Sequence, residues 1–471
     1  MSTALSQRVL HEYAAVRDSL PAGVVSPERR QEAIQALAAR DLPTTREENW
    51  RYTNLRPLER VRFAPAAAPG SASSPASGAA PAAAPPCASD LPARLEGFAR
   101  YTFVDGAFAP ELSWPVEHAA LSVRSLRRDA EQHRAAQGTP EGGSQAHSRS
   151  ATVTRLPHAL PALSTLPEAR LALLNEAFAT DAAVIHVSGA TAELPRVELV
   201  FVAVAGADSG ASYPRVQVAL DPGSRLMLIE RHVSVGAGAN FINASVHVDI
   251  GRGANLSHYR LQQTGARATW LDTLSAVLAA DARYGLLTIN IGGLSARSTI
   301  HAKMAGPGAQ LTLSVAALGD RQQVLDNFAL VEHIAPRART EQTFRGIGSG
   351  RARVAFNGKI AVREAAAGTD SRQSLRGLLA GPEAEIDLRP QLEIYTDDVR
   401  CSHGATAGKL DDNMLFYLLS RGLSPEVAQR LLKWAFLEDV VSKIEVPDLR
   451  RQIEHDLAGQ MADAAALKEL L

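Results

Sequence analysis

One stretch of the 471-residue sequence carries side chains that can bind metal, the segment Tyr395-Thr-Asp-Asp-Val-Arg-Cys-Ser-His-Gly404. If this segment is extended, Cys401 and His403 project from the same face with their bases roughly 6–7 Å apart. Soft sulfur beside imidazole suits iron, an iron–sulfur cluster, copper or zinc. Asp397 and Asp398 lie near enough in sequence to orient His403 or simply to end the strand.

Two side chains do not complete a tetrahedral metal site. The other cysteine, Cys87, lies at the edge of a low-complexity run, so the folded part offers no second thiol. If the pair binds metal, a partner chain has to supply the remaining ligands, and the site would lie at an interface. The alternative is that Cys401 is a buried small hydrophobe and His403 a hydrogen-bonded rim residue.

Short strands are the elements expected to position this pair. Beyond Asp181 the sequence consists of short β-rich runs, and a turn recurs every fifteen residues, at Gly223-Ser-Arg, Gly238-Ala-Asn and Gly253-Ala-Asn. Each rung of a solenoid buries its inner face only by stacking on the next, so a turn at fixed intervals predicts a mainly β fold, a β-helix. Abundant Gly, Ala, Val and Leu predict an interior of small and branched side chains. A β-sandwich is the alternative.

Two short helices are predicted near the amino terminus, within residues 3–39. Ser26 can cap the second helix, because Pro27 and Glu28 suit a first helical turn. Trp50 and Tyr52 follow and are expected to pack these helices against the next unit. A further helix is predicted after the Thr165 cap, with an apolar face made by Leu171, Leu174 and Phe178.

Three helices are predicted after the strands. Asp411 or Asp412 caps the first, which stops at Arg421-Gly422. Ser424-Pro425 starts the second, which ends near Pro447, and its predicted apolar face comprises Val427, Leu431, Leu432, Ala435, Phe436 and Val440. The last helix carries Leu449, Ile453 and Leu457.

Five parts of the chain follow from these patterns. The run from Pro65 to about Pro86 is wholly Ala, Pro, Gly and Ser, which cannot bury enough side-chain surface to offset the entropy of ordering. The predicted parts are a helical segment (1–64), a linker (65–95), a mixed region (96–181), the β-helix core (182–408) and a helical domain (409–471).

Composition narrows the class of partner and the compartment. The 49 basic and 50 acidic residues give a formal charge of −1, so no electrostatic argument favours nucleic acid or an anionic membrane. Two distant cysteines fit a reducing compartment. Because residues 1–10 lack a long apolar region and no later run reaches roughly 20 apolar residues, we expect a soluble cytoplasmic protein.

Several stretches together resemble the SufB/SufD family of iron–sulfur cluster assembly proteins. The resemblance covers roughly Leu171 to Leu457, and the stretches that carry it are Asp326–His333, Thr340–Arg345, Phe356–Ile360, Pro390–Ile394, Cys401–Thr406 and Phe416–Gly422. The early Glu48–Thr53 stretch and the single cysteine of the core are more similar to the SufD branch than to the cysteine-richer SufB branch. The low-complexity insert at 65–86 departs from the usual pattern of the family.

This resemblance implies a right-handed parallel β-helix between helical end domains, in a non-catalytic scaffold subunit. It implies pairing with a SufB-like paralogue and docking of the ATPase SufC on the C-terminal helices. An iron–sulfur cluster or iron would be held transiently at the SufB–SufD interface by His403, and less securely by Cys401. ATP would act only through SufC, whose closure would move the joined solenoids. For the chain without these partners, the resemblance implies that a homodimer can form.

The segment Leu415 to Val440 is the predicted SufC contact. Candidate contact residues are Leu415, Phe416, Tyr417, Arg421, Lys433 and Phe436, and the segment also carries Arg430, Glu438 and Asp439. The alternative is that much of this face packs internally.

Two other classes of function compete with this one. β-Helices also host polysaccharide lyases and hydrolases, for which Glu393, Asp397 and Asp398 are the available acids. The lack of a recognisable secretion signal and the few aromatic residues count against such an enzyme. A plain interaction scaffold, in which Cys401 and His403 are structural, is the third reading.

Overall fold

The computed structural model describes residues 3–66, 85–137, 167–190, 193–205 and 210–461. Most of the predicted linker and the predicted Thr165 cap lie outside these residues. The described chain is mainly β, with helices before and after the strands.

Two sheets face each other across the core, and successive strands from the fourth onward alternate between them. One sheet has the order β19-β17-β15-β13-β11-β9-β7-β5-β1-β2 and the other has the order β18-β16-β14-β12-β10-β8-β6-β4-β3. The strands are β1 (Ala99–Val104), β2 (Ala107–Phe108), β3 (Leu121–Ser125), β4 (Ala183–Val187), β5 (Arg196–Val204), β6 (Arg215–Leu220), β7 (Arg225–Val235), β8 (Phe241–Ile250), β9 (Asn255–Gln263), β10 (Thr269–Leu278), β11 (Arg283–Ile291), β12 (Ser295–Met304), β13 (Gln310–Gly319), β14 (Val324–His333), β15 (Arg339–Gly348), β16 (Arg353–Val362), β17 (Thr369–Leu379), β18 (Glu385–Ile394) and β19 (Val399–Gly408).

The pairing of these strands confirms the predicted parallel β-helix. From β4 to β19 every pair within a sheet is parallel, and two strands make one turn, which gives about eight turns. Thr369 of β17 lies opposite Val399 of β19, about 30 residues later. The fifteen-residue repeat of the sequence therefore marks half a turn, and the β-sandwich alternative is wrong.

The interior of the solenoid is apolar along most of its length but carries charge in its middle turns. Val, Leu, Ile and Ala ladders from both sheets form one continuous buried cluster. Arg260 on β9 breaks this pattern, since its guanidinium donates to Glu230 on β7 (2.6 Å) and to Asp272 on β10 (2.7 Å). The expectation of small and branched side chains is thus incomplete, because a buried charge is tolerated wherever counter-charges and hydrogen bonds surround it.

The amino-terminal end of the solenoid is closed by antiparallel strands. β2 pairs antiparallel with β1 at the end of one sheet, and β3 pairs antiparallel with β4 at the end of the other. The β1–β2 turn is Asp105-Gly106, in which both residues have positive φ, as tight hairpin turns require. At the opposite end, β18 and β19 are the last strands of their sheets.

Within the described ranges, four α-helices precede or interrupt the first turns: α1 (Ala4–Val16), α2 (Pro27–Arg40), α3 (Leu126–Gln137) and α4 (Ala172–Phe178). The Ser26 hydroxyl accepts the Arg29 N–H at the start of α2, which confirms the predicted cap. Trp50 is fully buried, and the Arg297 guanidinium of β12 lies 3.8 Å from its ring centroid. As predicted, Trp50 packs the segment after the opening helices against the solenoid. Tyr52, the second predicted packing residue, is only half-buried.

Three helices follow β19: α5 (Asp412–Ser420), α6 (Pro425–Val441) and α7 (Pro447–Gln460). Asp411 caps α5 by accepting the Asn413 and Met414 N–H groups, and Gly422 follows with a φ of 91°. α6 ends at Val441 rather than near Pro447, because this proline occupies the first turn of α7 instead of stopping α6.

The face of α6 that packs inward differs in part from the predicted one. Trp434, Leu437 and Val441 are buried against the outer face of the ten-stranded sheet, together with Ala316 of β13 and Ile347 of β15. Of the predicted face residues, Val440 is buried as expected, whereas Ala435 is exposed and the others are half-buried, namely Val427, Leu431, Leu432 and Phe436. Trp434 is the large side chain that the prediction left out, and it sets the helix rotation.

Candidate functional site

The predicted ligand pair lies on β19, the edge strand of the ten-stranded sheet. The register places Cys401 opposite Ser371 and His403 opposite Gln373 of β17. Ser371 and Gln373 are buried inward-facing residues, so Cys401 and His403 continue two interior columns of the solenoid into its last turn. Their shared face is as predicted from strand alternation.

Burial falls steeply along this strand. Cys401 is half-buried and packs against the core, whereas His403 is exposed. Burial, and next the nearby Asp370 carboxylate, raise the pKa of the Cys401 thiol. The thiol is therefore protonated in the free chain, and a metal ion that binds it has to displace the proton.

The described residues of this chain do not complete a metal site by themselves. Within the described ranges, no group of three or more His, Cys, Asp or Glu side chains could hold a metal ion. Asp397 and Asp398 are exposed, and the Asp398 carbonyl accepts the Gly368 N–H (2.7 Å) in the turn before β19. Glu393 is paired with Lys359 (2.7 Å) on the outward face of β18. Sulfur and imidazole fit iron, but the remaining ligands have to come from elsewhere.

Sequence reasoning missed the polar side chains beneath the pair. Among the described residues, the Ser371 hydroxyl and the Gln373 amide oxygen are buried without a hydrogen-bond partner. The sequence does contain a pattern that points to them: Ser371, Gln373 and Leu375 alternate along a strand and so share one face, about 30 residues before Cys401 and His403. Reading that signal requires the register of β17 against β19, which the sequence does not provide.

The last turn leaves two unpaired strand edges side by side. Among the described strands, β18 and β19 each pair with one strand only. The inward residues beside these edges are partly buried against the core, namely Ile386, Leu388, Leu392 and Val399. Unpaired N–H and C=O groups beside half-buried apolar side chains form a template for another sheet. The Cys401–His403 pair lies on one of these edges.

Of the predicted docking residues, those on α5 face solvent. Phe416 is 72% exposed and Tyr417 is 55% exposed, while Leu415 is half-buried. The Arg421 guanidinium lies 5.1 Å from the Tyr417 ring centroid. Large apolar side chains exposed together on one short helix are typical of an interaction surface.

The predicted docking residues on α6 are partly used within the chain. Lys433 is half-buried, and burial lowers its pKa. Phe436 is half-buried against the helix–sheet core. Asp439 pairs with Arg345 of β15 (2.5 Å) and Glu438 pairs with Arg450 of α7. Arg430 is buried as well.

The candidate ligand strand and the exposed helix are directly connected. β19 ends at Gly408 and α5 begins at Asp412, so only three residues separate the strand from the helix. A cavity of about 220 Å³ lies between them, lined by Leu378, Thr406, Met414 and Phe436 among others.

Other histidines of the solenoid have partners within the fold. His232 and His258 contact the Glu230 carboxylate (2.6 and 3.2 Å), and His301 contacts Glu332 (2.7 Å). Although burial opposes it, Arg260 together with these two imidazoles holds the pKa of Glu230 well below its usual range. His247 and His333 also have hydrogen-bond partners within the fold.

The fold and the site define a class, a parallel β-solenoid scaffold with an incomplete thiol–imidazole pair at its open end. The family model for the "SUF system FeS cluster assembly, SufBD core domain" matches residues 202–436. The chain is 29% identical to the iron–sulfur cluster assembly protein SufD of Escherichia coli over 91% of both chains. It is 25% identical to an iron–sulfur cluster assembly SufBD family protein of Synechocystis sp., over 90% of this chain and 89% of that one.

The chain belongs to the SufB/SufD family and is SufD-like. The resemblance predicted from short sequence stretches is thereby confirmed. Within the described ranges, no helix is long and apolar enough to cross a membrane.

Proposed function

We propose that this chain is a non-catalytic scaffold subunit of a SufBCD-type iron–sulfur cluster assembly complex in the cytoplasm. Its last solenoid turn pairs with a SufB-like paralogue, and its C-terminal helices dock a SufC-like ATPase. His403, with Cys401 beside it, contributes to holding iron or a nascent iron–sulfur cluster, which is the cargo of the complex.

The observation that carries this proposal is the position of the pair. Cys401 and His403 continue interior columns of the solenoid onto its one edge strand beyond β17, where His403 is exposed. An isolated structural histidine gains nothing from this position, whereas a ligand that is shared with a second protein has to be reachable. The lack of a third ligand among the described residues fits a site that two chains complete.

The free edges of β18 and β19 support pairing with a second solenoid. A partner strand added at either edge satisfies backbone groups that the described chain leaves unpaired. The partly buried Leu388, Leu392 and Val399 would become interior residues of the joined structure. A partner that brings its own thiols would complete the coordination of the cargo.

The exposed face of α5 supports docking of the ATPase. Phe416, Tyr417 and Arg421 are exposed on this face, and Phe436 of α6 lines the cavity beside it. Lys433 of α6 is half-buried. ATP-driven closure of two docked ATPases would pull on α5, and the short connection to β19 would carry that movement to His403. The chain thus supplies a metal ligand and transmits the movement of the ATPases to it, and ATP acts only through SufC.

The competing functions have weaker support. A polysaccharide-active enzyme needs two carboxyl groups that flank a bound sugar, but Glu393 is held by Lys359 on the outward face of β18. A plain scaffold predicts no role for His403 in metal loading. This difference separates the plain scaffold from the proposal.

The experiment is iron and sulfide analysis of the purified complex. With His403→Ala, we expect partners to co-purify as before but iron and sulfide per complex to fall by roughly 10-fold or more, because a ligand is lost. His186→Ala is the matched control, since His186 is a half-buried histidine at the other end of the solenoid, paired with Asp221 (3.1 Å). Unchanged loading in the His403 variant would favour the plain scaffold.

A further inference from the structure

A ladder of buried glutamines leads along the solenoid interior to His403. Gln342 on β15, Gln373 on β17 and His403 on β19 are in register, each one strand beyond the last. Gln342 is fully buried and Gln373 is 4% exposed. Adjacent strands lie about 4.8 Å apart, so the His403 ring is within reach of the Gln373 amide.

The orientation of the Gln373 amide is fixed by its partners. Its Nε2 group donates to the Gln342 Oε1 atom (2.8 Å) and to the Gly358 carbonyl oxygen (2.9 Å). The Gly358 carbonyl oxygen can only accept a hydrogen bond, so the Gln373 atom that faces it has to be the NH₂ group. The Oε1 atom takes part in neither contact, and it is buried without a partner among the described residues, His403 included.

The opposite sheet leaves room for this ladder. A Cβ atom on Gly358 of β16 would lie 2.7 Å from the Gln342 Oε1 atom and 2.8 Å from the Gln373 Nε2 atom. Only glycine fits there while both amides keep their positions. Two groups of this ladder are buried without a partner among the described residues, the Gln342 Nε2 donor and the Gln373 Oε1 acceptor. The exposed His403 ring can supply a donor to the Gln373 acceptor by turning toward the interior. A buried acceptor without a donor destabilises the fold, and a hydrogen bond from His403 would remove this cost.

We propose that Gln373 is a positioning residue that accepts a hydrogen bond from one ring N–H of His403 and so presents the other ring nitrogen, unprotonated, to the cargo metal. The metal-binding part of this inference rests on the proposed function, and the hydrogen bond itself does not. Fixing the tautomer of a ligand histidine through its second nitrogen is a general way to orient it. The acceptor here is an amide within the solenoid, reached through the strand register.

The test is the tautomer of His403 in the full-length chain. Long-range ¹H–¹⁵N spectra of ¹⁵N-histidine-labelled protein are assigned by comparison with His403→Ala. We expect wild type to show one neutral tautomer of His403, with one pyrrole-type and one pyridine-type nitrogen. In Gln373→Met the two ring nitrogens should shift toward averaged values, because the acceptor is lost.

A matched control separates this effect from the general loss of a buried amide. Gln262 on β9 is also a buried, inward-facing glutamine whose Oε1 atom has no partner among the described residues, and it lies several turns from His403. Gln262→Met should leave the His403 tautomer unchanged. In the complex, Gln373→Met should weaken iron retention by roughly 10-fold relative to Gln262→Met.

The outcomes distinguish this inference from the function on which it rests. A His403 tautomer that is the same in wild type and Gln373→Met would overturn the positioning role, even if His403→Ala lowers iron loading. A tautomer change in Gln373→Met together with normal iron loading of His403→Ala would leave the hydrogen bond standing and overturn the metal role. Thermal unfolding of each variant verifies that it is folded.

Discussion

Individual residues in this solenoid are held in environments that their sequence neighbours do not reveal. Arg260 lies in the interior because Glu230 and Asp272 come to it from strands on both sheets. Asp105 shows the opposite case, a carboxylate with few compensating contacts. It lies in the β1–β2 turn, where its Oδ1 atom accepts the Val204 N–H (2.9 Å). Burial raises its pKa to about 6, and the Val204 hydrogen bond opposes this only in part.

At the residue scale we predict that Asp105→Asn stabilises the protein at neutral pH. Because the pKa of Asp105 is higher in the folded chain than in the unfolded chain, ionisation destabilises the fold as pH rises from about 4 through 6. Asparagine keeps the acceptor for Val204 and tolerates the positive φ of 48°. The variant should gain up to about 2 kcal/mol at pH 8 and almost nothing at pH 4.

Denaturant unfolding at several pH values measures this difference. Asp18→Asn serves as control, because the Asp18 side chain is 91% exposed. A gain for Asp105→Asn that does not vary with pH would mean that the carboxylate is well solvated in the folded protein.

At the scale of elements, the sequence predicted most of the fold and part of the site. The recurring turns and strand alternation predicted the β-helix, and caps such as Ser26 and Asp411 predicted helix starts, because these signals are local. The rotation of α6 and the residues of β17 that lie opposite Cys401 and His403 were not predictable, because both depend on which strands stack on each other. The buried Arg260 escaped prediction for the same reason.

Of the helices after β19, α6 packs inward and α5 is exposed. Substitutions on α5 should therefore affect ATPase binding, whereas substitutions on the buried face of α6 should affect stability. The double variant Phe416→Ser, Tyr417→Ser on α5 should abolish capture of a SufC-like ATPase while changing stability by at most about 0.5 kcal/mol, because both side chains are exposed. Leu437→Ala on α6 should cost about 2–5 kcal/mol, because Leu437 is fully buried.

Pull-down with the purified ATPase and denaturant unfolding measure both effects. Val116→Ser is the matched control, since Val116 is a 57% exposed apolar residue far from α5 in sequence. ATPase capture that survives the double variant would place the docking surface elsewhere.

At the scale of the whole molecule, the two ends of the solenoid are built differently. The amino-terminal end is closed by β2, β3 and the opening helices, whereas the last turn ends in two free strand edges. Terminal repeats of solenoids need a cap, so the free edges among the described strands support the proposed pairing with a partner. The same end gives the chain the option of a homodimer when its partners are absent. In the proposed function, metal binding and partner pairing lie in this last turn, and ATPase docking lies on α5, which follows it.

The most direct test of this account is to tag the chain in its native host and measure which proteins co-purify at stoichiometric levels. We expect a SufB-like paralogue and a SufC-like ATPase, because the open end and the exposed α5 face each require a partner. Recovery of a lone chain with neither protein would contradict the scaffold function and favour a β-helix enzyme.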